Sequence, residues 1–156
     1  MRQYTFVTEW TFETEIEQVW ELLCNAGFSE GWEGLSMRQS AKGMNKDGSG
    51  DEYEAVVKTK LPYTLSFTST VTRKLKPHVL EITVSGELEG RGVCNLSQNG
   101  NFTHIRYLWE VDTTKRWMRW LAPVLKPAFV WNHDKVMHDG ARTVSRLLGA
   151  RMVPNL

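Results

Sequence analysis

The sequence has no long hydrophobic run, only two cysteines and almost no excess of charge of either sign. Its 156 residues carry 19 Lys and Arg against 18 Asp and Glu, a formal net charge of +1. No strong overall field therefore draws the chain toward nucleic acid or an anionic membrane, and no nucleic-acid partner is expected. The opening residues, MRQYTFVTEWTF, alternate polar with apolar side chains and offer neither a signal peptide nor a membrane span. The expectation is a soluble, cytoplasmic protein without stable membrane insertion. Cys24 and Cys94 show no metal-type spacing with each other or with histidine, and in the cytoplasm such a pair stays as reduced thiols. His78, His104, His133 and His138 form no ligand pair with an accompanying motif, so no metal is expected. The stretch Gly43 to Gly50 lacks the Gly-Lys-Ser/Thr ending of a phosphate loop, and Asp47, Ser49 and Asp51 lack the glycine and distal glutamate of a calcium loop. No serine or cysteine occupies a nucleophile motif, and no cofactor is implied.

What the chain has in quantity is aromatic surface: seven Trp, six Phe and four Tyr. A minimal core needs less, and an aromatic-lined ligand cavity would use the excess; a bulky packed core would use it too. The length suits one domain, 1–150, followed by a loose tail at 151–156.

Periodicity supplies the elements. Tyr4, Phe6, Thr8, Trp10 and Phe12 share one face of a half-buried first strand. Thr14-Glu15-Ile16-Glu17 reads as a capping box opening a short helix over 14–25, and FSEGWEGL reads as a loop or broken second helix. Six further strands are expected at about 35–42, 52–60, 63–71, 79–86, 87–97 and 102–111, separated by turn chemistry such as Asn99-Gly100. Gly90 and Gly92 share a face and mark a bend. Thr113-Thr114 offers an N-cap for a helical segment from Lys115 to Ala122. Pro123 and Pro127 should interrupt or kink the chain before a long helix that runs to about Leu148. At about 100° per residue, Phe129, Val136, Gly140, Val144 and Leu147 fall on one stripe of that helix. The expected class is α+β: a curved seven-stranded antiparallel sheet, two short helices after the first strand, and a long C-terminal helix.

This order resembles the START-like superfamily, also called the helix-grip or Bet v 1-like fold, and within it the polyketide cyclase/dehydrase and lipid transport branch. The most specific similarity lies in Lys115-Arg116-Trp117-Met118, Leu121-Ala122-Pro123 and Trp131-Asn132-His133-Asp134-Lys135-Val136-Met137 with Gly140, which look like the final helix of bacterial members. The resemblance implies a cavity between sheet and helix for a lipid, polyketide or aromatic molecule. It does not choose between carrier, sensor and enzyme.

Among candidate site residues, His133 falls about 40° from Phe129 on the helix and should face inward, as a ligand-orienting group or a general acid or base. The plainer alternative is a core histidine satisfied by backbone or a Tyr hydroxyl. Tyr63, Phe67, Tyr107 and Trp109 share inward parity on their strands and would form an aromatic wall with Phe129, Asn132 and Val136 from the helix. Ordinary core packing predicts the same parity. If the protein is an enzyme, His133 and Tyr107 are the candidate catalytic residues. The basic aromatic run from Lys115 to Trp120 could touch a membrane transiently, or bury Trp117 and Leu121 while its cations stay wet. The leading expectation is binding or transport of a small hydrophobic ligand by a monomer or homodimer. The alternatives are a cyclase or dehydratase using the same cavity, and a protein-interaction module with a packed core.

Overall fold

A computed structural model of the chain describes residues 4–25, 32, 34–58 and 64–153. The elements are β1 (Tyr4–Phe12), α1 (Ile16–Leu23), β2 (Leu35–Ala41), β3 (Glu52–Lys58), β4 (Thr64–Leu75), β5 (Val79–Gly86), β6 (Leu88–Asn99), β7 (Phe102–Thr113), α2 (Arg116–Trp120), α3 (Ala122–Leu148) and β8 (Met152–Val153). All strands join one antiparallel sheet in the order β2-β3-β4-β5-β6-β7-β1-β8. Strands β2 to β7 form a meander, as their turn residues predict. β1 then returns beside β7, from Tyr4 opposite Val111 to Phe12 opposite Thr103.

The eighth strand corrects two expectations, the count of seven and the loose tail from Arg151. Gly149 takes the left-handed conformation (φ 61°) that ends α3 and turns the chain back. Met152 and Val153 then pair with Phe12 and Thr11, and the Arg151 guanidinium sits 2.8 Å from the Glu13 carboxylate. These residues cover the end of β1, whose N–H and C=O groups would otherwise lie open at the sheet edge. Residues 154–156 lie outside the described set.

The capping box does not form. The Thr14 hydroxyl donates to Gln18 Oε1 (2.7 Å), and α1 begins later, with Glu15 in the N-cap position. The Ile16 N–H is taken instead by Gln98 Oε1 (2.7 Å) from the β6–β7 hairpin, while the Thr103 hydroxyl donates to the Thr14 carbonyl (2.8 Å). A tertiary cap has replaced the local one, meeting the same need to satisfy orphan helix donors. The second expected short helix lies largely outside the described residues.

At the other end of the chain, the break between helices falls at Leu121, before both prolines. Pro123 sits in the first turn of α3, where its missing N–H costs nothing, and Pro127 is carried inside the continuous helix. Thr113 ends β7 and the Thr114 hydroxyl donates to the Gly86 carbonyl (2.9 Å), so neither caps α2. The buried stripe of α3 comprises Phe129, Asn132, Gly140, Ala141, Thr143 and Val144. Leu147 lies on the exposed side, while Leu148 beside it packs against the interior.

Two clusters build the interior. One joins Met118 and Phe129 to Tyr4, Ala55, Leu65, Phe67, Val84, Leu88 and Val111. The other joins α1 (Ile16, Val19, Trp20) to Phe12, Cys94, Leu96, Ile105 and Val144. Burial of each large side chain contributes about 1.5–3 kcal/mol.

Candidate functional site

Residues of both clusters also line a cavity of about 260 Å³ between the concave face of the sheet and α3. Strand alternation puts Phe67 of β4 and Tyr107 and Trp109 of β7 on this face, and α3 adds Phe129, Asn132, His133 and Val136. Seven of the eight residues expected from sequence to line a site are thus brought together around one space. Tyr63 lies outside the described residues. The rings of Phe67 and Trp109 stand 5.6 Å apart, and those of Tyr107 and Trp109 stack at 6.0 Å.

Gly92 explains the placement of Tyr107. It occupies an inward position on β6, and a Cβ there would fall 2.7 Å from the Tyr107 hydroxyl and 3.0 Å from Ile82 Cγ1. The missing side chain gives the phenol its room. Burial, with a smaller contribution from Cys94, pushes the Tyr107 phenol far above its ordinary range, so it stays neutral at physiological pH.

His133 lies flat on Phe6, with ring centroids 3.9 Å apart and planes 10° from parallel. Burial lowers its pKa, and Asp134 opposes that shift weakly, its Oδ1 lying 3.8 Å from Nδ1. That separation is beyond hydrogen-bond range, and Nδ1 is buried with no hydrogen-bond partner. The backbone or Tyr partner of an ordinary core histidine is absent at this nitrogen among the described residues. Tyr4 presents a second such atom: its hydroxyl is buried without a partner while its ring meets Phe129 edge-on at 5.5 Å. Both residues line the cavity.

Several lining residues are not expected from sequence as part of a site. Alternation gives Tyr4, Phe6 and Trp10 an inward face but no ligand role. Trp32 is buried, and its indole N–H donates to the Val136 carbonyl of α3 (2.7 Å). The same ring lies over Gly140, where a Cβ would fall 2.2 Å from Trp32 Cζ2. A glycine inside an otherwise helical pattern is the one sign of this contact in the sequence. Cys24, Tyr53 and Lys74 also line the cavity. Burial raises the Cys24 and Tyr53 pKa values, and the Lys74 ammonium beside Cys24 pulls the thiol the other way. Among the described residues, no group of His, Cys, Asp and Glu is arranged to hold a metal ion. No helix is long and apolar enough to cross a membrane.

No protein-family model and no curated protein sequence matches the chain. Solved structures do. TTHA0849 from Thermus thermophilus superposes with a TM-score of 0.74 at 11% identity, covering 92% of this chain and 99% of that one. A conserved protein from Geobacillus kaustophilus gives 0.63 at 15% identity, over 97% and 100% of the two chains. Ara h 8.0201 gives 0.63 at 11% identity, over 93% and 97%. With the curved antiparallel sheet and the long final helix already in place, these likenesses identify the architecture as the helix-grip, or Bet v 1-like, fold.

Proposed function

We propose that the protein binds a small apolar or aromatic molecule in this cavity, as a carrier or receptor. Burial supplies the affinity, and His133 with Tyr4 sets the orientation. The observation that carries this reading is an apolar space of about 260 Å³ bordered by two residues with buried, unpartnered polar atoms. Covering the apolar side chains that face this space yields roughly 25 cal/mol for each Å² removed from water. Each unpartnered polar atom costs about 1–3 kcal/mol. An occupant with an apolar body and one or two polar atoms gains on both counts. Native mass spectrometry of freshly purified protein tests this. A retained molecule of lipid or aromatic mass supports the reading; bare protein that also takes up no apolar probe refutes it.

One observation favours an enzymatic second reading, in which the cavity folds a reactive chain for cyclisation or dehydration. His133 is held neutral and can accept a proton, while the Tyr107 hydroxyl, kept neutral by burial, borders the same space and can donate a hydrogen bond to a substrate oxygen. His133→Ala separates the two readings: carrier binding survives it, whereas acid–base turnover does not.

The surface beside the cavity suits loading from a bilayer. Trp120, Val124 and Trp131 are 81%, 74% and 55% exposed, and Trp117 is half exposed while Met118 is buried in its stead. This corrects the expectation that α2 buries Trp117. Between Lys115 and Arg151 the chain places eight of its 19 Lys and Arg but only two of its 18 carboxylates, Asp134 and Asp139. Exposed indoles among excess cations match an anionic lipid surface, with Trp at the interface and cations on phosphates.

A further inference from the structure

We propose that the cavity selects uncharged molecules that carry a carbonyl oxygen, held by a hydrogen bond from the Tyr107 hydroxyl. This rests on the cavity being a ligand site and goes on to name the chemical class of the ligand.

The lining offers no free charge. Among the described residues no Asp, Glu or Arg borders the cavity, and its one ammonium, Lys74, arrives there through a β-bulge. Val71 stands opposite Ile82 and Arg73 opposite Glu81, so Thr72 is the extra residue and Lys74, opposite Leu80, takes the inward position. The alkyl stem of Lys74 borders the space while its head is turned to the Gly48 loop. A Cβ on Gly48 would stand 2.5 Å from Nζ and 3.4 Å from Asp51 Oδ2, and Asp47 and Cys24 also interact with the ammonium. Burial holds the other ionisable groups of the lining neutral: it raises the phenols of Tyr4, Tyr53 and Tyr107 and the thiols of Cys24 and Cys94, and it lowers His133. A carboxylate entering this space would shed its water and meet no free cation to offset the loss.

Within this neutral lining Tyr107 holds an open donor. The residue lies deep enough for burial to dominate its titration, yet part of its surface stays accessible. At that depth the accessible part faces the hollow. The hydroxyl makes no hydrogen bond to a described residue, and it is not sealed off as the Tyr4 hydroxyl is. It projects over Gly92, so the groups about the oxygen are Gly92, Ile82 and the Cys94 thiol. A thiol is a weak acceptor, and the phenolic O–H is therefore met by an oxygen from outside the lining. A carbonyl is such an oxygen, because it accepts and has nothing to donate. An alcohol would bring a second donor to a place with no acceptor for it.

The test is isothermal titration calorimetry at pH 7.5 with 2-acetylnaphthalene, 2-ethylnaphthalene and 2-naphthoate, three molecules of one ring and similar size, on the native sequence and Tyr107→Phe. The naphthoate should bind the native protein at least about tenfold more weakly than acetylnaphthalene. In Tyr107→Phe the ratio of acetylnaphthalene to ethylnaphthalene affinity should fall about fivefold, the scale of one neutral hydrogen bond. The infrared carbonyl stretch of bound acetylnaphthalene should lie lower in the native protein than in Tyr107→Phe, a difference that a merely loosened pocket does not produce. Naphthoate that binds as tightly as the ketone overturns the selection for uncharged ligands and leaves the cavity reading standing. An affinity ratio or a carbonyl stretch that Tyr107→Phe does not move overturns the Tyr107 contact in the same way. If none of the three binds, this inference falls, and if the protein takes up no other apolar probe either, the cavity reading falls with it.

Discussion

Gly140 is where the seat of α3 can be tested with a single methyl group. Alanine is favoured over glycine in a helix interior by roughly 0.8–1.0 kcal/mol, so in open surroundings Gly140→Ala would stabilise the protein. The surroundings are not open. The new Cβ would lie 2.2, 2.5 and 2.8 Å from Cζ2, Cε2 and Cη2 of Trp32, against the roughly 3.5–4.0 Å at which carbon atoms pack. The indole must retreat by more than about 1 Å, yet its N–H is held to the Val136 carbonyl at 2.7 Å. Overpacking costs about 1–3 kcal/mol, and loss of that hydrogen bond about 0.5–1.5 kcal/mol. Subtracting the propensity gain leaves a net destabilisation of about 2 kcal/mol, or about 4–8 °C in Tm for a chain of this size. The assay is thermal and urea unfolding of the native protein, Gly140→Ala, Trp32→Ala and the double variant. In the Trp32→Ala background the clash is gone, so Gly140→Ala should turn stabilising by up to about 1 kcal/mol. Gly140→Ala as stable as the native protein, or more so, would refute the claim that the indole seats the helix.

Three further outcomes are expected. Because burial holds His133 below its ordinary value of 6.5, the unfolded chain takes up that proton first as pH falls; the resulting stability is intact above about 6.5 and lost on acidification below it. Urea midpoints at pH 7.5 and 5.5 should therefore drop further in the native protein than in His133→Leu, and equal drops would contradict the assignment. The Cys94 thiol is buried and pushed up to about 12, whereas Cys24 is partly accessible at the cavity; a thiol-reactive disulfide reagent should label Cys24 in the native state and Cys94 only after unfolding, and early labelling of Cys94 would show its burial to be wrong. Trp120→Ser should leave stability within about 0.5 kcal/mol, as an exposed site does, while reducing co-sedimentation with vesicles of anionic lipid; unchanged sedimentation would remove Trp120 from any membrane contact.

Much of the fold could be read from the sequence because two alternating strands, β1 and β7, face one interior, and each declares its parity several times over. The cavity wall followed from the same parity. What escaped the reading depends on partners distant in sequence. Thr14 looks like a cap until Gln98 arrives from the β6–β7 hairpin to take the Ile16 N–H. Lys74 looks outward because nothing local reveals that Thr72 is an extra residue; only pairing with Glu81 and Leu80 fixes the slip. Leu147 sits on the apolar stripe by angle, but in the last turn Leu148 is the residue that meets the interior, which periodicity alone does not show. Met152 and Val153 are too short a run to announce a strand, and they become one because β1 has an open edge beside them.

Each strand from β2 to β8 is hydrogen-bonded to the next, so a molecule behind the sheet cannot cross it without rupturing several backbone hydrogen bonds at once. On the other side of that space, α3 is held by side-chain contacts and by the indole clasp between Trp32 and Val136. For a ligand bound as proposed, dwell time follows how often that clasp lets go, so substitutions at Trp32 should change it even where no atom of the ligand is touched.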